Sequence, residues 1–306
     1  MTRRDAIRLT AGAAVATVLP NHVARGETSN ESSAVLTRAI HSSGEQLPVV
    51  GLGTYAVFDV TPSGEPALEP VLAEFVKLGG RVVDSSPMYG RAEQVVGDLS
   101  SKLKLRDSLF LATKVWTRGK QAGVESMQRS LARMRAKRMD LMQVHNLVDV
   151  RTHLATLREW KEQGRVRYIG ITHYNSSAYS EVERLLKSEQ LDFLQINYSL
   201  AEPEAEQRIL PLAKERGVAT LINRPFGGGD LFSKLRAAPL PEFAREIDCT
   251  SWAQFLLKWI IAHPAVTCVI PATNKLDHLR DNMRAGIGRL PEATMRDRMA
   301  EVVATC

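Results

Sequence analysis

Cysteine is scarce in this chain. Cys249, Cys268 and Cys306 are the three in 306 residues, odd in number and without a Cys-x-x-Cys spacing. Neither a disulfide framework nor a cysteine metal cage is expected. Cys268 lies in the apolar run 266–270 and reads as a small buried hydrophobe. The seven histidines include no His-Glu-x-x-His and no cluster at ligand spacing, so no metal site is expected. Gly-x-Ser-x-Gly is absent, which argues against a serine nucleophile on a strand-to-helix elbow. No Gly-x-Gly-x-x-Gly follows the first strand, so the dinucleotide fingerprint of a doubly wound sheet is missing. Long apolar runs are missing too. Residues 11–19 fall short of the ~20 needed to cross a bilayer.

An excess of one charge is also absent once the chain is divided. The formal charge of +6 includes +3 from residues 1–26, where Arg3, Arg4, Arg8 and Arg25 face only Asp5. The remainder carries no long basic run, which gives nucleic-acid binding no support. The opening Thr2-Arg3-Arg4-Asp5-Ala6-Ile7-Arg8, followed by an apolar stretch and Pro20, resembles a twin-arginine export signal. That resemblance implies a signal over 1–26 and a periplasmic protein, with no stable membrane insertion after export. A twin-arginine route carries folded proteins. Residues 27–35 are polar at first and read as a linker. The expected folded body is 36–306, acting as a monomer or small homo-oligomer.

What is present is a rhythm. Two short apolar runs, 36–40 and 47–50, flank a polar turn with Gly44 and predict a β-hairpin. Strand-like runs then fall at 49–53, 81–84, 109–114, 139–145, 166–172, 193–197, 218–223 and 266–270. Amphipathic helical segments at 69–78, 92–103, 124–134, 153–163, 178–187, 204–216, 250–262 and 275–285 follow them. An open doubly wound sheet uses the same alternation, but eight strands with about eight helices favour a (β/α)₈ barrel of the α/β class. The tail beyond Gly288 is short.

Chemistry in such a barrel belongs at the carboxyl ends of strands. Three strands run into reactive side chains: Asp84, with Tyr89 five positions on, then Lys114, then His145. Singly, an Asp at a strand end is usually a cap, a His usually structural and a Lys usually on the surface. Their joint occurrence at the ends of successive strands is informative.

At these residues the chain resembles the aldo-keto reductases. The motifs that carry the resemblance are Gly51-Leu52-Gly53-Thr54-Tyr55, Asp84-Ser85-Ser86-Pro87-Met88-Tyr89-Gly90, Ala112-Thr113-Lys114-Val115-Trp116, Gln143-Val144-His145-Asn146, Gly170-Ile171-Thr172-His173, Gln195-Ile196-Asn197-Tyr198-Ser199, and Val269-Ile270-Pro271 before Leu279-Arg280-Asp281-Asn282. The resemblance implies NAD(P)H-dependent reduction of a small-molecule aldehyde or ketone. Tyr89 would be the proton donor, Lys114 would lower its pKa, Asp84 would orient Lys114, and His145 would place the carbonyl.

It further implies a cofactor site of Gly53, Thr54, Tyr55, Asp84, Thr172, His173, Gln195, Asn223, Arg224, Phe226, Gly227, Thr273, His278, Asp281 and Asn282. Thr172 and His173 stand where the family commonly has Ser-Asn. Asn223 stands where an aromatic commonly stacks, with Phe226 as a substitute. Ala272 and His278 stand where a lysine and an arginine often hold a 2′-phosphate, with Lys275, Arg280 and Arg224 nearby. NADP is the first choice of cofactor and NAD the second. Tyr55, Trp116, His145, Asn146 and Phe226 are the candidate substrate wall, suited to an apolar or flat carbonyl compound. Two other readings stay open: an exported nicotinamide-binding accessory subunit, and a self-recycling sugar or alcohol oxidoreductase that keeps its cofactor.

Overall fold

The computed structural model describes residues 34–306. The expected signal, and all but the last two residues of the expected linker, lie outside them. A hairpin of β1 (Thr37–Ala39) and β2 (Gln46–Pro48) comes first, with Thr37 opposite Pro48. Eight parallel strands follow: β3 (Leu52–Gly53), β4 (Val82–Asp84), β5 (Phe110–Val115), β6 (Met139–His145), β7 (Val166–Thr172), β8 (Phe193–Asn197), β9 (Ala219–Asn223) and β10 (Cys268–Val269). Each pairs with its neighbour in chain order. The ends of the sheet also meet. Gly51 N–H donates to Val269 O at 2.8 Å, Val269 N–H donates to Val49 O at 2.9 Å, and a parallel bridge joins Gly53 to Ala272. The expected (β/α)₈ barrel with its N-terminal hairpin is therefore the observed fold.

Strand periodicity explains how the barrel is filled. Side chains two apart share a face. Val82, Phe110, Ala112, Leu141, Tyr168, Phe193, Ala219, Leu221 and Cys268 form one inner apolar cluster, closed by Ile40 and Leu47 of the hairpin. Continuing each strand by two or four residues on the same parity reaches Asp84, Lys114, Gln143, His145, Thr172, Gln195 and Asn223. The apolar plug and the polar floor above it thus come from one alternation.

The outer layer comprises α1 (Glu69–Lys77), α2 (Ala92–Lys102), α3 (Lys120–Arg133), α4 (Val150–Glu162), α5 (Tyr179–Ser188), α6 (Ile209–Glu215), α7 (Asp230–Lys234), α8 (Trp252–Ile261), α9 (Leu276–Arg284) and α10 (Ala293–Thr305). In α5, Val182, Leu185 and Leu186 face the core while the charged residues face out. One helical expectation needs correction, and the tail adds a helix that the sequence pattern did not announce. The segment 204–216 is a single 3₁₀ turn at Glu204–Glu206 and then α6, with Arg208 at φ −142 between them. Pro211 accounts for the break, since its ring would clash with the carbonyl four residues back in a continuous helix. The tail is also more than a short end. It forms α10, which buries Met299 and Val303 one turn apart.

Candidate active site

Asp84 ends β4, Lys114 stands one residue before the end of the adjacent parallel β5, and the two face one another. Lys114 is fully buried, and its Nζ donates to Asp84 Oδ2 and to Ser85 O, both at 2.6 Å. The other carboxylate oxygen of Asp84 accepts Gln195 Nε2 at 2.8 Å and Gln143 Nε2 at 3.4 Å. Thr54 Oγ1 braces the strand end by donating to Asp84 O at 2.9 Å, with Ser85 Oγ 3.0 Å away. Desolvating an ion pair this deeply is weak evidence of a stabilising role, so its purpose lies in what it holds. It holds Tyr89. The ammonium lies 5.2 Å from the centre of the Tyr89 ring, and His145 meets that ring edge-on at 6.1 Å.

The charges are settled by burial and proximity together. Burial opposes the Lys114 ammonium, but Asp84, Tyr89 and Glu93 together outweigh it and hold the pKa above the ordinary lysine value. Burial also pushes the Tyr89 phenol up, and Lys114, pulling down, does not overcome it. The expectation that Lys114 brings Tyr89 below its usual value is corrected: the net direction is upward. Burial, with Lys114 and then His173 adding to it, lowers the His145 pKa to about 3, so its imidazole is neutral at ordinary pH.

Tyr89 and His145 open onto a cavity of about 690 Å³, within the size range of ligand sites. The structure brings Gly53, Thr54, Tyr55, Asp84, Thr172 and Gln195 to its wall. It also brings Asn223, Arg224, Phe226, Trp116 and Asn146 there. Asn146 and Arg224 both hold a left-handed φ of +50, and non-glycine residues in that region deserve notice at a site. Asn223 Nδ2 donates to His173 O at 3.1 Å, while its Oδ1 is a buried acceptor without a hydrogen-bond partner among the described residues. Asn146 Oδ1 is in the same condition.

Six candidate cofactor residues stand apart from this wall. The His173 ring stacks on Tyr174, with centroids 5.5 Å apart. Gly227 is buried behind Gly228 and Gly229, which do reach the cavity. Thr273 Oγ1 accepts the Lys275 N–H at 3.1 Å at the start of α9. His278 is exposed on α9, and Asn282 is buried in it. Both carboxylate oxygens of Asp281 are engaged, by Ser251 Oγ at 2.7 Å and Gln254 Nε2 at 2.6 Å, so Asp281 ties α9 to α8. Arg280 pairs with Glu74 at 3.0 Å.

Sequence reasoning missed four residues. Tyr174, Met88 and Phe232 stand exposed on the cavity rim. Tyr174 lies two residues past β7, a strand-end position that could have marked it. Phe232 lies in α7, where no strand signal points. Ser86 is buried behind His145 and touches it.

The profile of the Aldo/keto reductase family matches residues 49–300. The methylglyoxal reductase YeaE of Escherichia coli is 26% identical over 254 residues, 80% of this chain and 88% of the relative. The NADP-dependent D-sorbitol-6-phosphate dehydrogenase of Malus domestica is 25% identical over 285 residues, 79% of this chain and 86% of the relative. A Klebsiella pneumoniae aldo-keto reductase, solved in complex with NADPH, superposes with a TM-score of 0.73 at 23% identity, covering 88% of this chain and 95% of that one. The fold of this chain is shared with that structure, and the family match spans most of the barrel. The chain belongs to the aldo/keto reductase family.

Proposed function

We propose that Tyr89 is the proton donor for reduction of an uncharged, apolar or flat aldehyde or ketone, with His145 as the hydrogen-bonding partner of its oxygen. The reaction class follows from family membership: the chain is an NAD(P)H-dependent oxidoreductase acting on carbonyl groups. The observation that carries the residue assignment is the convergence of Tyr89, buried Lys114–Asp84 and neutral His145 at one cavity.

The cavity wall fits a nicotinamide dinucleotide. Buried Asn223 Oδ1 calls for a donor such as a carboxamide N–H. Gly228 and Gly229, at φ +74 and +109, present bare backbone at the wall, as a pyrophosphate would require. When bound, the cofactor supplies the hydride. NADP is the first choice, supported by the NADPH held in the Klebsiella structure and by the NADP-dependence in the name of the Malus relative. Thr172, Asn223 and the glycine turn would hold it, and Thr273, His278 and Asn282 of the α9 region would meet its adenosine side.

This chain's own residues do the rest. Tyr89 keeps its proton at neutral pH and hands it to the oxygen as negative charge develops there. Lys114 steadies the phenolate left behind, and Asp84 keeps Lys114 charged and in place. His145, being neutral, adds no competing charge. Purified protein should oxidise NADPH in the presence of a reactive aromatic aldehyde, and Tyr89→Phe should lower kcat by about 10²–10⁴-fold. Undiminished turnover in that variant would remove Tyr89 from the role.

We also propose export by the twin-arginine route, with 1–26 as signal, 27–35 as linker and 36–306 as enzyme. The paired Arg3-Arg4 supports it. Replacing both by lysine should leave the full chain in the cytoplasmic fraction, and unchanged periplasmic recovery would sink the proposal.

A further inference from the structure

The buried side of His145 is in contact with a serine that the reaction, as set out so far, does not use. Ser86 lies two residues beyond β4, fully buried, with Oγ 3.1 Å from His145 Nδ1. The same oxygen accepts the Met88 N–H at 3.4 Å. Tyr89 and Trp116 meet the imidazole edge-on at 6.1 and 6.3 Å, so Ser86 supplies the polar contact that distinguishes its two nitrogens.

The protons around Ser86 can then be placed. A serine hydroxyl has one proton to give and lone pairs to receive. If Nδ1 carried the ring proton and gave it to Ser86, the hydroxyl proton would need another acceptor. Among the described residues, Oγ makes no hydrogen bond to any other acceptor. A buried hydroxyl proton would be left unpaired, which interiors avoid. In the opposite arrangement everything is satisfied. Ser86 accepts from Met88 and donates to Nδ1, and the single ring proton sits on Nε2.

We infer that Ser86 is a positioning residue that locks His145 as the Nε2–H tautomer, so that His145 meets the cavity as a hydrogen-bond donor. A neutral imidazole has one donor and one acceptor nitrogen, and whichever partner holds one decides the other. The low His145 pKa agrees, because it removes the doubly protonated form. The consequence is a division of labour. Two donors, Tyr89 O–H and His145 Nε2–H, converge on one carbonyl oxygen, and neither offers a lone pair that would repel it. In the other tautomer Nε2 would face the carbonyl with a lone pair and compete for the Tyr89 proton. This catalytic consequence rests on the assignment of His145 above, whereas the tautomer does not.

Nitrogen-15 NMR of the protein labelled at histidine, with His145 identified by its loss in His145→Asn, tests the inference directly. Wild type should show Nε2 protonated and Nδ1 bare. Ser86→Ala should populate both tautomers and lower kcat for carbonyl reduction roughly ten- to a hundredfold with little change in KM. Ser86→Thr, which keeps the hydroxyl, should restore the wild-type spectrum and rate. A wild-type spectrum with Nδ1 protonated overturns the tautomer, whatever becomes of the variants. A shifted tautomer in Ser86→Ala with kcat unchanged overturns its catalytic use. If no carbonyl compound is reduced at all but Nε2 is protonated, the assigned reaction falls and the tautomer stands.

Discussion

Tyr89 shows how placement settles two opposed influences on one group. Lys114 favours the phenolate, while the wall around the ring favours the neutral phenol, and the wall prevails. A donor must hold its proton until charge develops, so a raised pKa suits reduction. The sign of the pH dependence follows. Tyr89 is protonated below its folded pKa, above the ordinary 10, and His145 is neutral above about 3. With a non-ionising aldehyde, kcat/KM for reduction should therefore be flat from roughly pH 5 to 9 and fall only beyond about 10. Oxidation of the matching alcohol needs phenolate and should rise over the same range. A reduction profile with a limb near pH 6.5 would point to a titrating histidine and contradict the assignment.

Among the helices, α8 departs most from an amphipathic pattern. Its run from Gln254 to Ile261 is buried, including Lys258. An apolar helix of this kind needs cover on both sides, and it has the barrel on one and α9 with α10 on the other. Trp259 Nε1 donates to Arg296 O at 3.1 Å, and Arg296 Nε donates back to Trp259 O at 3.1 Å. The hairpin contributes too, since the Arg38 guanidinium reaches Ile261 O at 2.6 Å and His263 O at 2.8 Å at the helix end. Lys258 Nζ donates to the carbonyls of Ile247, Ile287 and Arg289, each at 2.8 Å. Lys258→Met should leave those carbonyls without their donor and cost roughly 2–5 kcal/mol. Urea unfolding monitored by tryptophan fluorescence would measure it, and a loss below 1 kcal/mol would mean that the carbonyls find other partners.

Across the described molecule, the exposed large apolar side chains gather in one place. Tyr55, Met88, Trp116, Tyr174 and Phe232 are each more than 40% exposed, and all five line the same cavity. Such a patch on an otherwise polar surface marks a binding site. The charged side chains on that wall are Asp84 and Arg224, and both are paired, with Lys114 and with Glu202 at 3.2 Å. No unpaired cation of that wall is left for a phosphorylated substrate. Uncharged aromatic aldehydes should accordingly be preferred over phosphorylated sugars by about a hundredfold or more in kcat/KM. Trp116→Ala should lower kcat/KM for the aromatic substrate by about tenfold, the worth of one aromatic contact. Equal activity on both classes would show that the rim does not select.

The sequence by itself determined the order of the strands and the residues that crown them. Period-two alternation is written in the chain, so Asp84, Lys114 and His145 could be placed at strand ends, and 139–145, 166–172 and 193–197 emerge with the predicted bounds. The motifs around those residues were enough to indicate the family. Only the tertiary structure decided what depends on neighbours distant in the chain. The direction of the Tyr89 pKa reflects burial by several strands. Asp281 serves as a helix tie because Ser251 and Gln254 reach it from α8. The helix at the tail forms against α8, and its own apolar pattern is thin. Ser86 reads as one more residue of the motif at Tyr89 until His145, 59 positions away, comes to rest on it.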